Sequence, residues 1–449
     1  MEHLLLMLGT GPSSPEQVKK REYRQATYFL RDDPERGEET TPFVGEAILR
    51  LHPERFGRVH LFGTTASMWE TLYWHALPGD ASDEHVRRFD ALVEAVGTDR
   101  LAQQPDLLRW VEQRFREHTG VETACHLLPP GRSEDEFWAM LRAMADLDIR
   151  DGTVSLDVTH GLRAQPLFLL LALFYLRSVH PEVAMGSVFY GALELARDHF
   201  DGRAPIFDLR PMVELMDWIE AARVFDRYED AAPLAALLRA ASERAARGDP
   251  EKLARRAETV SQMLQVNAFS GLRSAMQTFQ NELDGVEGLP LLDLIRPRLE
   301  RLPETLLSAS SAPSRALLEL ARRHWSHYQA ALAALTAWEA VVARMAQVYD
   351  RSDANEADVH SALGYAAGDR RDMLINRIYR PAGMTDFPDH VRTLRNFRNT
   401  IAHSDRSAQR VSPRQVYAEF PDLLAYLETH LHDDALERLP EYHRLSLDE

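Results

Sequence analysis

The sequence predicts two unlike halves, an α/β domain on a doubly wound, parallel-type sheet (residues 1–210) and an all-α domain (residues 211–449). Three observations carry this. Short apolar runs alternate with segments of helical periodicity in the first half, and each run stops at turn chemistry. From about Pro211, Ala, Leu, Arg and Glu recur in long stretches with no strand-like alternation. A chain of 449 residues, 45% hydrophobic and 27% charged, has the length and apolar content for two or three packed domains.

The elements follow in order. Leu4 to Leu8 is a first strand, ending at Gly9-Thr10-Gly11, and Val59 to Phe62 a second, ending at Gly63-Thr64-Thr65. Thr123 to Leu128 stops at Pro129-Pro130-Gly131, and Val154 to Leu156 runs into Asp157-Val-Thr-His160-Gly161. Gly186 to Tyr190 is the last strand, followed by a hairpin around Asp201-Gly202. Between them, Ser67 to Trp74 and Glu136 to Met144 have helical spacing, with Trp69, Trp74 and Trp138 expected in the core. Leu162 to Arg177 is apolar almost all round, as suits a helix packed on the sheet and on a neighbour. Further helices are expected over Met212 to Arg227, Ala232 to Arg247, Pro250 to Phe269, Ser314 to Asp350 and Thr393 to Ser404. No repeat or low-complexity tract stands out.

Charge narrows the function. Lys and Arg number 52 against 69 Asp and Glu, a formal charge of −17, so contact with nucleic acid must be local and not spread over the surface. Asp369 to Arg414 is the exception, with ten arginines against five aspartates. Cys125 is the only cysteine, which excludes an intrachain disulfide and any multi-cysteine zinc site; it reads as a small hydrophobe in a strand. The N-terminal residues lack the pattern of a signal peptide, and Leu167 to Leu176 is too short to span a bilayer, so a cytoplasmic location without a membrane segment is expected.

The sharpest constellation is Arg395-Asn-Phe-Arg398-Asn399-Thr-Ile-Ala-His403. At 100° per residue Leu394, Phe397 and Ile401 form an apolar stripe, while Arg395, Asn399 and His403 stack on the other side with Arg398 beside Arg395. Arg398 and His403 are about 140° apart around the axis, so the guanidinium must reach round to share a site with the imidazole. RNA cleavage needs a base for the 2′-hydroxyl, an acid for the leaving 5′-oxygen and a cation for the phosphorane. One histidine supplies one proton role, so this chemistry calls for a composite site on the twofold axis of a dimer. A solvated helix face ending in a histidine accounts for the same spacing.

Asp157-Val-Thr159-His160-Gly161-Leu-Arg163 sits where a strand gives way to a helix, a place suited to an anionic ligand. Simple capping by Asp157 or Thr159 is the alternative, and a metal on Asp157 and His160 lacks a third ligand. Gly9-Thr10-Gly11 and Gly63-Thr64-Thr65-Ala66-Ser67 fall on the same sheet edge, without the later glycine of a dinucleotide fingerprint or the Gly-Lys-Ser/Thr of a P-loop.

The order Leu8-Gly-Thr-Gly11, Gly63-Thr-Thr-Ala-Ser-Met-Trp69, Asp157-Val-Thr-His-Gly161 and Arg398-Asn-Thr-Ile-Ala-His403 resembles the CRISPR-associated CARF-HEPN ribonucleases of type III systems. The resemblance implies a Rossmann-like CARF domain over residues 1–210, a helical HEPN domain over 211–449, and a homodimeric, metal-independent endoribonuclease. Such an enzyme makes 2′,3′-cyclic phosphate ends on single-stranded RNA and is switched on by a cyclic oligoadenylate, with cyclic tetra-adenylate favoured here over cyclic hexa-adenylate. It assigns Arg398, His403 and Asn399 to catalysis and Arg395 to RNA binding. Gly9, Thr10, Gly11, Thr64, Thr65, Ser67, Asp157, Thr159, His160, Gly161 and Arg163 fall to the ligand. The chain departs from the family in a long first loop, Gly11 to Arg21, and an acidic surface. The competing expectation is a non-enzymatic nucleotide sensor that signals to a partner.

Overall fold

Alternating apolar strands and helices do assemble into a sheet wrapped on both faces. The computed structural model describes residues 1–10, 25–79, 81–161, 164–266, 268–308, 312–364, 368–403 and 411–441, with the backbone alone at Asp198, Ser308, Asp369, Ala402 and His403. Gly11 and Arg163 lie outside the described residues. The chain divides into two compact units, Met1–Glu214 and Leu215–Glu449.

The first unit holds eight strands: β1 Glu2–Met7, β2 Ala26–Leu30, β3 Glu38–Thr41, β4 Arg58–Gly63, β5 Glu122–Leu127, β6 Gly152–Asp157, β7 Val183–Gly191 and β8 Arg203–Asp208. They lie in the order β3-β2-β8-β7-β6-β1-β4-β5. Strands β7, β6, β1, β4 and β5 are mutually parallel. The sheet is mixed and not purely parallel, because β8 runs antiparallel to β7 and carries β2 and β3 outward. Strand β1 is buried on both faces, as befits a parallel strand under two helical layers: Leu4, Leu6 and Leu8 enter one core, Leu5 and Met7 the other. Chain order reverses between β1 and β6, so the crevice outside their carboxyl ends is the place where this architecture leaves room for a ligand.

Helices over Trp69–His75, Glu134–Ala145 and Gln165–Val179 follow their strands close to the expected positions. Trp69 is fully buried, whereas Trp138 is 54% exposed, against expectation. Its helix turns Met140 and Met144 to the sheet and leaves Trp138 on the outer side. The Cys125 side chain packs beside the first core, where burial pushes its thiol up, in keeping with a packing role.

The second unit is helical among its described residues and contains two cores. Trp218 to Leu306, with Leu320, build one; Leu317 to Leu439 build the other. The single helix expected from Ser314 to Asp350 is two, Pro313–Ser326 and Ala330–Val348. Tyr328 adopts φ 61°, and the Gln329 N–H closes onto the His324 carbonyl at 2.9 Å, which ends the first helix as a left-handed cap does. A tyrosine in that conformation gives no sequence signal. The expected helix Met212 to Arg227 is likewise split into Arg210–Val213 and Leu215–Tyr228, and that over Ala232 to Arg247 ends at Ala240. Helix Ala330–Val348 is long and apolar enough to cross a membrane by length and composition, and it packs Ala333, Ala337, Val341 and Met345 into the second helical core.

Candidate functional site

In the first unit the end of β1 is tied to the turn after β4, and the end of β6 to β7, by groups that the sequence places after each strand. Ser67 Oγ donates to the Leu8 carbonyl at 2.8 Å and accepts from the Thr64 N–H at 3.0 Å. The Met68 N–H bonds the Gly9 carbonyl at 3.0 Å, and Thr10 and Ser67 form an antiparallel bridge. Thr64 turns the chain, its hydroxyl accepting from the Ala66 N–H at 3.2 Å and its carbonyl from Trp69 Nε1 at 2.8 Å. A side chain at Gly63 would stand 2.6 Å from the Trp69 ring, so glycine is required for this approach. Thr64 and Ser67 are therefore buried and committed to the turn, while Thr65 is half-buried and Thr10 exposed.

Asp157 ends β6 almost fully buried and accepts from the Thr159 N–H at 3.0 Å. Burial pushes its carboxyl up, and the His160 charge opposes that rise. Thr159 Oγ1 accepts from the Gly191 N–H at 2.8 Å, fixing β6 to β7. His160 lies over Gly9, with its ring carbon 3.8 Å from where a Cβ on that glycine would be. Its Nε2 is buried without a hydrogen-bond partner among the described residues. Gly161 turns at φ 107°, a conformation that favours glycine, before helix Gln165–Val179 opens. A narrow cavity of about 20 Å³, room for roughly one water, runs beneath, lined by Gly9, Glu46, Asp157 and His160 among apolar neighbours. The structure thus gathers Gly9, Thr10, Asp157, Thr159, His160 and Gly161 at the switch point, with the Thr64 to Ser67 turn alongside. Asp157 and His160 have no third metal ligand beside them among the described residues.

In the second unit helix Phe387–His403 buries Val391, Leu394 and Phe397, with Ile401 packed at the margin. Arg395, Arg398 and Asn399 are half-buried on the rest of its surface. Arg398 Nη1 donates to Asn399 Oδ1 at 2.8 Å. The helix ends at His403, whose side chain lies outside what the structure describes. Sequence reasoning missed the carboxylate here. Glu356 accepts from Arg395 Nε at 2.6 Å and lies 4.0 Å from Arg398 Nη1. Burial works against its charge, and the bond and charge of Arg395, aided by Arg398 and His360, hold it below the usual carboxylate range. Glu356 opens helix Glu356–Ala362 behind an Asn355 capping box, so its local sequence signals a helix start and nothing more. Glu339, pushed up by burial against the Arg398 charge, lines a cavity of about 540 Å³ with Arg273 and Ser352.

Comparison with known proteins gives three findings. Residues 214–307 match the family model described as CRISPR-associated protein MJ1674, second domain, a span close to the first helical core. The CRISPR-associated protein MJ1674 of Methanocaldococcus jannaschii is 24% identical over 418 residues, 90% of this chain and 62% of that protein. The chain thus spans less than two thirds of that relative's length. Among solved structures, Enterococcus italicus Csm6 bound to cyclic hexa-2'-fluoro-hexa-dAMP aligns over 99% of this chain and 98% of its own, at 12% identity and a TM-score of 0.38. The chain is similar to CRISPR-associated proteins.

Proposed function

We propose that this protein is a cyclic oligoadenylate-activated, metal-independent endoribonuclease of type III CRISPR defence, working in the cytoplasm as a homodimer with a composite active site. The CARF part is residues 1–210 and the HEPN part 211–449. The observation that carries the reading is the pairing of two sites on separate units: an amide-rich crevice at a sheet switch point, and Arg398 with Asn399 on a helix that ends in His403. Likeness to a CRISPR-associated protein over 90% of the chain agrees with it.

The activator's phosphates would meet the Gly9 and Thr10 backbone, the unpartnered His160 Nε2 and the start of helix Gln165–Val179, where the helix dipole favours an anion. Gly11, Thr65, Thr159, Gly161 and Arg163 complete the proposed set. At the other site one histidine takes the 2′-hydroxyl proton, its counterpart across the twofold axis protonates the leaving 5′-oxygen, and Arg398 steadies the phosphorane. Arg395 guides the RNA, exchanging Glu356 for a phosphate.

Cleavage of a fluorogenic single-stranded RNA with cyclic tetra-adenylate, cyclic hexa-adenylate or neither tests the whole. Turnover is expected with the four-membered ring above the six-membered one; equal rates in all three tubes reject the switch. His160→Ala removes a ligand contact without touching the RNA site. It is expected to raise the half-activating ligand concentration about tenfold, the worth of one buried hydrogen bond to a charged group, with the saturated rate unchanged.

A twofold assembly has a candidate surface. Leu167, Leu171, Tyr175 and Val179, spaced by four on helix Gln165–Val179, are 44–56% exposed, and Trp138 on the neighbouring helix is exposed too. An apolar stripe of this kind marks an interaction surface. Leu171→Glu is expected to shift the protein from dimer to monomer in sedimentation and to remove RNA cleavage with it. A monomeric variant that cleaves at the parent rate excludes the composite site.

A further inference from the structure

Behind the ligand crevice, three helices of the first unit send side chains to one point. Glu46 comes from helix Val44–Leu51, His75 is the last residue of Trp69–His75, and His118 lies in the last turn of Pro105–Thr119. His75 Nε2 is 2.6 Å from Glu46 Oε2 and His118 Nε2 is 2.7 Å from Oε1. We infer that Glu46, His75 and His118 form a binding site for one divalent transition-metal ion of the zinc class, independent of the RNA-cleaving reading.

The donor set is two imidazole nitrogens and one carboxylate oxygen, a set that suits zinc and its borderline neighbours and leaves a position for water. All three donor atoms lie within 4.8 Å of one another. Metal–ligand bonds of about 2.0–2.2 Å need donors only slightly rearranged from there. The Glu46 side chain is fully buried. Burial alone favours the protonated acid, yet hydrogen bonds from His118, His75 and Thr41 hold it below the usual carboxylate range, so it is an anion inside the fold. The imidazoles are 21–23% exposed, which gives an ion a way in. Each presents an Nε2 lone pair once its proton sits on Nδ1.

A cation already stands at this carboxylate. Arg50 Nη2 is 2.6 Å from Glu46 Oε1 and 3.1 Å from His118 Nε2, and the side chain is 43% exposed with its other amine toward Glu39 at 3.5 Å. The guanidinium therefore competes with a metal and has open space and a second carboxylate to retreat to. The ion would join the helix after the Thr64 to Ser67 turn to the helix whose Glu46 lines the cavity under Gly9 and His160. It would thus brace the ligand crevice from behind.

The test uses full-length protein stripped with chelator and titrated with Zn²⁺ and with Co²⁺ alone. One equivalent per chain is expected, with the visible d–d absorption of low-coordinate Co²⁺ and a metal-dependent rise in Tm. His75→Ala and His118→Ala are each expected to weaken uptake about tenfold or more. Glu46→Gln, which keeps the shape and loses the anion, is expected to abolish both the spectrum and the Tm rise. Arg50→Ala is expected to bind more tightly than the parent, which a purely structural hydrogen-bond cluster has no reason to do. Parent protein that takes up no ion, uptake indifferent to both histidine substitutions, or Arg50→Ala with unchanged or weaker affinity overturns the inference.

Discussion

Alanine at Arg398 or at His403 is expected to lower activator-stimulated RNA cleavage by about 10² to 10⁴, the usual worth of a proton-transfer group or of a charge aimed at an oxyanion. The fold should not follow. Helix Phe387–His403 is held by Val391, Leu394 and Phe397, while Arg398 sits half-buried on another face with Asn399 and, more distantly, Glu356 as partners. Its loss should change stability by no more than about 1 kcal/mol. Ligand binding at the first unit should also be unchanged. Arg395→Ala separates the roles. Its guanidinium is bonded to Glu356 at 2.6 Å and faces RNA only by exchanging that partner, so KM should rise several-fold with kcat nearly constant. The measurement is initial rate against RNA concentration at saturating cyclic tetra-adenylate, with ligand affinity and Tm as controls. An Arg398→Ala protein that binds activator and cleaves at the parent rate takes this helix face out of the catalytic reading.

What could be read in advance follows from how local each signal is. Strands β1, β4, β6 and β7 were legible because parallel strands inside the sheet carry short apolar runs, each cut off by Gly or Asp, and the partly buried edge strand β5 was marked by the Pro129-Pro130-Gly131 that follows it. Strand β3 is Glu-Glu-Thr-Thr at the sheet edge and has no apolar run to find. The crevice was legible for the same reason: once Gly9, Thr64, Asp157 and His160 follow parallel strands, geometry puts them on one edge. That Ser67 is spent on the Leu8 carbonyl was not legible, since it depends on the approach of two chain ends 59 residues apart. Glu356 meets Arg395 across 39 residues and Glu46 meets His118 across 72, and no periodicity encodes such pairs. The basic stretch around Arg398 was visible as charge; the carboxylate that restrains it was not.

Acid is expected to undo the first unit well before its carboxylates are protonated. His3, His60 and His126 sit side by side on β1, β4 and β5, with rings stacked at 5.5 and 5.3 Å. His3 Nδ1 is 3.2 Å from His60 Nε2, and His60 Nδ1 is 3.0 Å from His126 Nε2. Such a chain is satisfied when every ring is neutral, one nitrogen donating and the other accepting. Burial, then the charges of His126, His3 and Arg58, lower His60 to about 3; burial and Arg58 lower His126 to about 4; burial lowers His3 as well. These are bases whose folded pKa lies below the unfolded value near 6.5. As pH falls from about 6.5 toward 4, the unfolded chain takes up protons that the folded chain refuses, so stability falls over that window. His60 alone accounts for a loss on the order of 3 kcal/mol by about pH 4, a large part of the few kcal/mol by which domains are stable. Glu46 acts in a separate, lower window, because its folded pKa is depressed and its contribution fades only below the usual carboxylate range. Urea unfolding followed by circular dichroism at pH 7.5, 6, 5 and 4 reads the effect directly. The parent should lose stability steeply across these points, and His60→Leu, weaker at pH 7.5 for want of two hydrogen bonds, should lose markedly less. Parallel curves for the two proteins mean that the ladder does not set the acid limit of this fold.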